Sequence, residues 1–259
     1  ELTIGTAVPS KKELKTVKHH CIHHKSILDT YTKKDFEKEV LIIINNEFKN
    51  NDYIIMSGGS GLYMDAVING LDNFPKTDDK VRKQLNSELK KFGIEYLQKK
   101  LNKLDPLYYN NVDKQNPRRL IRALEICISS NKPYSSFIGK QKNIHEFNLF
   151  NMAMNIKREI LYNKINLRVD KMIDDGLLEE VKTLIIHKEL NTLNTIGYKE
   201  LFLFIEKKLT FEQSIEEIKK NSRRFAKRQI TWLKRKEDII WVNNDVTPEE
   251  IKRNYFDFK

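Results

Sequence analysis

At 259 residues the chain is long enough to bury a full core without covalent staples and to hold two compact units of about 100–150 residues. Its only cysteines, Cys21 and Cys127, make no C-x-x-C pair, which argues against a disulfide framework and for a reducing, cytoplasmic setting; no apolar run reaches the roughly 18–20 residues of a membrane span. Lys and Arg total 47 against 36 Asp and Glu, a formal charge of +11 that fits either a polyanionic partner or a lysine-rich solvated surface.

Glu1–Ser10 has no helical period and ends in Pro9-Ser10, so it reads as a loop leading into the first complete element. His19-His20-Cys21-Ile22-His23-His24 has the composition of a zinc site. A structural zinc draws on two separated ligand pairs, however, and neither His145 nor His187 has a Cys or His beside it, so no metal is expected there. Ser26–Thr30 reads as a short strand or turn, and Lys34–Phe48 as a helix with Phe36, Val40, Ile43, Ile44 and Phe48 on its buried side.

The segment Tyr53–Leu71 reads as strand, glycine turn, helix. Tyr53–Met56 is apolar and too short for a helix, and it runs into Ser57-Gly58-Gly59-Ser60-Gly61, after which Leu62, Ala66, Val67 and Ile68 recur at helical spacing. Gly58, Gly59 and Gly61 would let the backbone approach an anionic or nucleic-acid ligand at a helix start, or would simply make a tight turn.

From there to about Lys140 the pattern is helical without strands, a candidate inserted helical domain over residues 72–140, with 1–71 and 141–259 forming an α/β core. Asp78-Asp79 opens one helix with Val81, Leu85 and Leu89 inward and Gly93 at its end; Ile94, Leu97, Leu101 and Leu104 mark the next, stopped by Asp105-Pro106. Asn116-Pro117 is an N-cap followed by proline at the first helical position. The helix it opens buries Leu120, Leu124 and Ile128 and turns Arg118, Arg122 and Glu125 away, with Arg119 beside them. Arginines massed at a helix start suit bidentate phosphate contacts, or form a solvated face with an internal Arg122–Glu125 pair.

Phe147–Asn155 reads as a return strand. The helix Lys157–Asp175 carries Leu161, Ile165, Val169 and Met172 inward, with Arg168 beside that stripe, half-buried and facing an anion, or snorkelling. Asn194–Lys199 is a polar turn. Ser214–Arg235 is a helix with Ile215, Ile218, Phe225, Ile230 and Leu233 inward and a basic block of Arg223, Arg224, Lys227 and Arg228; Ile239–Val242 is a terminal strand before a charged tail.

Separated motifs in one order resemble the tRNA dimethylallyltransferases, or isopentenyltransferases, over nearly the whole chain. They are Ile4-Gly5-Thr6-Ala7 with Pro9-Ser10, His19-His20, Asp35-Phe36, Gly58–Tyr63, Asp79–Arg82, Asp105-Pro106, Asn116–Glu125, Lys132-Pro133, Gly197-Tyr198 and Ala226–Leu233. The resemblance implies an α/β fold, a P-loop-type parallel-sheet core with an inserted all-helical domain. It also implies transfer of a dimethylallyl group from dimethylallyl diphosphate, with Mg²⁺, to N6 of the adenosine 3′ of the anticodon in tRNA, by a monomer. Carried over by position, Arg168 would hold the diphosphate, and Ser60 and Arg82 would position tRNA. Arg118, Arg119, Leu120, Ile121 and Arg122 would contact RNA, as would Asn194, Thr195, Ile196, Gly197, Tyr198 and Lys199, and Arg223, Arg224, Lys227, Arg228 and Gln229.

The family's phosphate loop and its general-base aspartate would lie upstream of Glu1, so the chain as written is expected to bind tRNA and to prenylate it negligibly. The family's His-His-x-Ile-Asp is here His19–His23, with His23 in place of the acid, and a family threonine is Ser60. A non-catalytic RNA-binding module and a P-loop kinase of a small nucleotide are the competing readings. The kinase has no use for several arginine-rich segments.

Overall fold

The computed structural model describes residues 1–6, 8–140 and 145–255. Its helices, in chain order, are α1 (Lys11–Thr16), α2 (Lys33–Glu47), α3 (Gly61–Asn69), α4 (Asp79–Phe92), α5 (Ile94–Leu104), α6 (Pro106–Asn111), α7 (Pro117–Ser130), α8 (Arg158–Asp174), α9 (Leu177–Thr183), α10 (Tyr198–Ile205), α11 (Phe211–Leu233) and α12 (Pro248–Tyr255). Two strands, β1 (Asn151–Asn155) and β2 (Ile239–Asn243), pair in parallel, with Asn151 opposite Ile239 and Asn155 opposite Asn243. The residues divide into two compact units, one from Glu1–Leu62 with Glu146 onward, the other Tyr63–His145.

Local chemistry sets the helix starts. Ser10 with Glu13, Thr32 with Asp35 and Thr210 with Gln213 form capping boxes at α1, α2 and α11, so backbone N–H groups that lack an intrahelical acceptor are satisfied by side chains. Asn116 caps α7 through the Arg119 N–H, with Pro117 in the first turn.

The first unit packs around Val169, Leu177, Val181, Leu193, Tyr198, Leu201 and Ile218, so α8, α9, α10 and α11 share one core. The second unit has its own core of Leu85, Leu97, Leu101, Leu120, Ile121 and Leu124, built by α4, α5 and α7.

Several sequence expectations are corrected. Tyr53–Met56 is no strand: the one sheet among the described residues is β1–β2, and Ile55 is 90% exposed. An apolar run becomes a strand only when a neighbour takes up its N–H and C=O groups. The return strand is shorter than Phe147–Asn155, beginning at Asn151. Of the two readings of Ser26–Thr30, short strand or turn, the turn is observed, closed by Asp29 N–H donating to the Ser26 carbonyl. The loop Glu1–Ser10 leads into α1, and α6, α9 and α12 are helices that apolar periodicity does not announce because they are short; α12 occupies what reads as a charged tail. Ala7 of the Ile4–Ala7 motif, the domain boundary at residue 141 and the tail beyond Tyr255 lie outside the described residues.

Candidate active site and nucleic-acid interface

In the first unit, Thr3, Ile4 and Thr6 line a cleft of about 750 Å³ together with Arg168, Lys171 and Met172 of α8. Arg168 is exposed rather than half-buried, because it falls one residue before the buried Val169 and so turns off the core stripe. No ion pair or hydrogen bond to another described residue holds it. Lys171 is paired with Asp175 at 3.3 Å, and Glu13, also at the cleft, accepts from the Ser10 N–H at 2.7 Å and the Ser10 hydroxyl at 2.6 Å. The cleft thus presents one uncommitted cation while its carboxylates are already occupied.

The long helix α11 ties several candidate segments of this unit together. Arg223 donates to Asn166 of α8 at 2.6 Å, and Lys219, one turn earlier, pairs with Asp170 of α8 at 2.7 Å. Asn221 donates to the buried Glu200 at 2.8 Å, which also accepts from the Gly197 N–H at 2.8 Å and so fixes the turn Asn194–Lys199. Lys199 lies 3.6 Å from the same carboxylate. Gln229 donates to the Gly59 carbonyl at 2.5 Å. Arg224, Lys227 and Arg228 remain exposed, Arg228 lying over the Phe225 ring, and Phe225 is itself 41% exposed rather than inward.

The glycine turn owes its composition to α11. A Cβ on Gly59 would run into the Gln229 amide, and one on Gly61 would lie 2.6 Å from the Trp232 ring; Gly58 has nothing within 4 Å. None of the three has a positive φ, so close approach of a helix, not an unusual backbone conformation, is what demands glycine. Gly58 and Ser60 are exposed to whatever ligand the turn meets.

In the helical unit, Arg118 and Arg119 are exposed in the first turn of α7. Glu125 is only 1% exposed, not turned outward; Arg82 of α4 binds it through Nε and through Nη2, the latter at 3.0 Å, and Arg122 reaches it at 3.5 Å while stacking over the Phe74 ring. The hydrogen bond to Glu125 raises the Arg82 pKa against burial. Leu120 and Ile121 belong to the core, and in the first unit Tyr198 is fully buried; these three side chains are packing elements and offer no surface to an RNA.

The histidines are individually occupied. His19 Nδ1 lies 2.9 Å from the Val17 carbonyl, His20 Nε2 3.1 Å from Glu47, His23 Nε2 2.9 Å from the Leu2 carbonyl and His24 Nε2 3.5 Å from the Tyr31 hydroxyl. Among the described residues no group of three or more His, Cys, Asp or Glu is placed to hold a metal; the carboxylates at the cleft, Glu13 and Asp175, already accept from Ser10 and pair with Lys171.

Sequence patterns passed over Glu180. It stands in the first turn of α9, and its carboxylate accepts from the backbone of Thr3, Ile4 and Gly5 and from the Tyr198 hydroxyl. No local signal marks a partner so distant along the chain.

Comparison with known proteins bears on the whole chain. It is 49% identical over 257 residues to a tRNA dimethylallyltransferase of Flavobacterium johnsoniae, covering 97% of this chain and 83% of that protein. It is also 49% identical over 258 residues to a tRNA dimethylallyltransferase of Christiangramia forsetii, covering 100% and 84%. Among solved structures it superposes on the tRNA isopentenylpyrophosphate transferase of Bacillus halodurans with a TM-score of 0.65 at 32% identity, over 95% of this chain and 78% of that one. A eukaryotic dimethylallyltransferase acting on tRNA gives 0.74 at 25% identity, over 97% and 66%. Mostly helical, with a small parallel sheet among its described residues, the chain has the P-loop-type α/β fold of these enzymes. A family model described as IPP transferase matches residues 1–236, and with relatives of this similarity aligned along nearly its full length, the chain belongs to the IPP transferase family.

Proposed function

We propose that the protein transfers a dimethylallyl group from dimethylallyl diphosphate to N6 of the adenosine 3′-adjacent to the anticodon of tRNA, as a cytoplasmic monomer. The observation that carries this reading is Arg168, an uncommitted cation on the wall of a 750 Å³ cleft in a chain of this family. In the reaction N6 attacks C1 of the donor, the C–N bond forms as the C–O bond to diphosphate breaks, and N6 gives up its proton to a general base. Diphosphate leaves with the electron pair, so its growing charge needs a fixed cation, the role we assign to Arg168. Mg²⁺ would supply further charge neutralisation on the diphosphate, and no step here depends on it.

The tRNA would be met within the core unit by Ser60 of the glycine turn, by Asn194, Thr195 and Lys199 of the turn braced by Glu200, and by Arg224, Lys227 and Arg228 of α11. On the helical unit Arg118, Arg119 and Arg122 suit phosphate contacts, residues 72–140 being the proposed RNA-gripping domain. Gly197 and Gln229 serve by shaping backbone, the first through Glu200 and the second through Gly59.

The test is transfer of labelled dimethylallyl from its diphosphate to a tRNA transcript by the full-length gene product. Transfer is expected, lost when the target adenosine is replaced by guanosine, and Arg168→Ala should lower turnover by about 10²–10³ with unchanged tRNA affinity. RNA binding with no transfer would leave a binding module, and phosphorylation of a nucleotide would leave a kinase; either result overturns the reading.

A further inference from the structure

Three consecutive backbone N–H groups converge on one carboxylate. Thr3 and Ile4 donate to Glu180 Oε2 at 3.1 and 2.8 Å, Gly5 donates to Oε1 at 3.2 Å, and the Tyr198 hydroxyl donates to the same Oε1 at 2.6 Å. Burial by itself pushes the Glu180 carboxyl up, but the Tyr198 hydroxyl and the amides of Ile4, Gly5 and Thr3 outweigh it and hold it below the usual value. Tyr198 is immobilised in the core, and a Cβ on Gly5 would enter its ring, so the Thr3–Gly5 backbone lies pressed against a fixed aromatic surface.

What this clamp holds is part of the cleft. Thr3, Ile4 and Thr6 line it together with Arg168 and Met172 of α8, and Glu180 stands on α9, which follows α8 directly and shares its core through Leu177 and Val181. The carboxylate therefore connects the segment at the start of the chain to the helical layer that presents Arg168. Thr3–Gly5 belongs to no helix or strand and has no ladder of its own, so its position depends on side-chain acceptors.

We propose that Glu180 is a positioning residue for the transfer reaction: by gripping the Thr3–Gly5 backbone, with the Tyr198 hydroxyl as its fourth donor, it sets the cleft wall that the prenyl diphosphate meets beside Arg168. This rests on the functional reading above. Glu180 touches neither substrate nor the reacting atoms.

The experiment is steady-state transfer by the full-length protein and its Glu180→Gln and Tyr198→Phe variants, with tRNA affinity and thermal midpoint measured alongside. A glutamine keeps the shape but turns an NH₂ toward two of the four donors, so Glu180→Gln should lower kcat/KM for dimethylallyl diphosphate by about 10²-fold, the scale of a modest misplacement of a site. Dissociation of tRNA should stay within about twofold, since its proposed contacts are braced by Glu200 instead. Tyr198→Phe removes one donor of four and should give a smaller change of the same kind, which keeps the proposal testable if Glu180→Gln fails to fold. Equal loss of donor and tRNA affinity in step with a lowered thermal midpoint would make the clamp merely structural and overturn the proposal, as would unchanged donor kinetics in an active enzyme. Absence of transfer by the unaltered protein would instead strike the functional reading on which the proposal stands.

Discussion

The side-chain amide of Gln229 donates to the main-chain carbonyl of Gly59 at 2.5 Å, so the glycine turn is pinned from the side by the longest helix. That contact and the Trp232 ring beside Gly61 explain two of the glycines in Gly58-Gly59-Ser60-Gly61 by packing.

The order of cost on adding a methyl group follows. Gly61→Ala must displace an indole ring and should destabilise by about 1–3 kcal/mol. Gly59→Ala meets only the flexible end of Gln229 and should cost about 1 kcal/mol for the lost hydrogen bond. Gly58→Ala, with open space around it, should stay within about 0.5 kcal/mol. Denaturant midpoints of the three variants check the order, and an equal cost for all would show that backbone conformation governs the turn.

The arginines divide by what already holds them. Arg118, Arg119, Arg224 and Arg228 have no carboxylate at ion-pair distance among the described residues, so replacing a phosphate-contacting one by alanine should weaken tRNA binding and reduce the salt slope by about 0.7–0.9. Arg82 and Arg223 are committed to Glu125 and Asn166. Arg82→Ala would leave the buried Glu125 with Arg122 alone at 3.5 Å and should cost about 1–3 kcal/mol of stability. Binding isotherms at several salt concentrations, paired with denaturant melts, separate the two classes.

The Glu180–Tyr198 clamp should have a pH window. Glu180 is lowered from an ordinary value of 4.5, so its stabilisation is complete above that value and is lost as pH falls through the lower folded one. Tyr198 is raised from 10.0, by burial first and by its bond to Glu180 second, so its stabilisation is complete below 10.0 and is lost as pH rises through the higher folded one. The amide signals of Ile4 and Gly5 should therefore hold steady from about pH 5 to 10 and shift together under acid. A shift of those amides near neutrality would contradict the window.

Asn131 ends α7 at φ 53°, in the left-handed region. Asn131→Val should destabilise by about 1–2 kcal/mol, and Asn131→Gly should be neutral or stabilising by a few tenths of a kcal/mol, read as shifts in thermal midpoint. Equal tolerance of valine and glycine would mean that the cap relaxes out of that conformation.

Much of this protein is written in local sequence. The apolar spacing of Val81, Leu85 and Leu89, the Asn116-Pro117 start and the long stripe of α11 announce their helices, because amphipathic period and capping chemistry operate within a few residues. The order of the arginine and glycine motifs marks the family, which residues 1–236 match. Tertiary structure alone decided the rest. Tyr53–Met56 has strand composition, but pairing is a property of two segments, and the sheet among the described residues is β1–β2. Glu125 has the spacing of an outward residue, yet the approach of Arg82 lets it be buried as a charge-paired acceptor. Glu180, unmarked by any sequence motif, is the acceptor for a segment more than 170 residues away in sequence. A carboxylate's partner is set by distance in space, and only the packed chain brings Thr3, Ile4, Gly5 and Tyr198 to the same pair of oxygens.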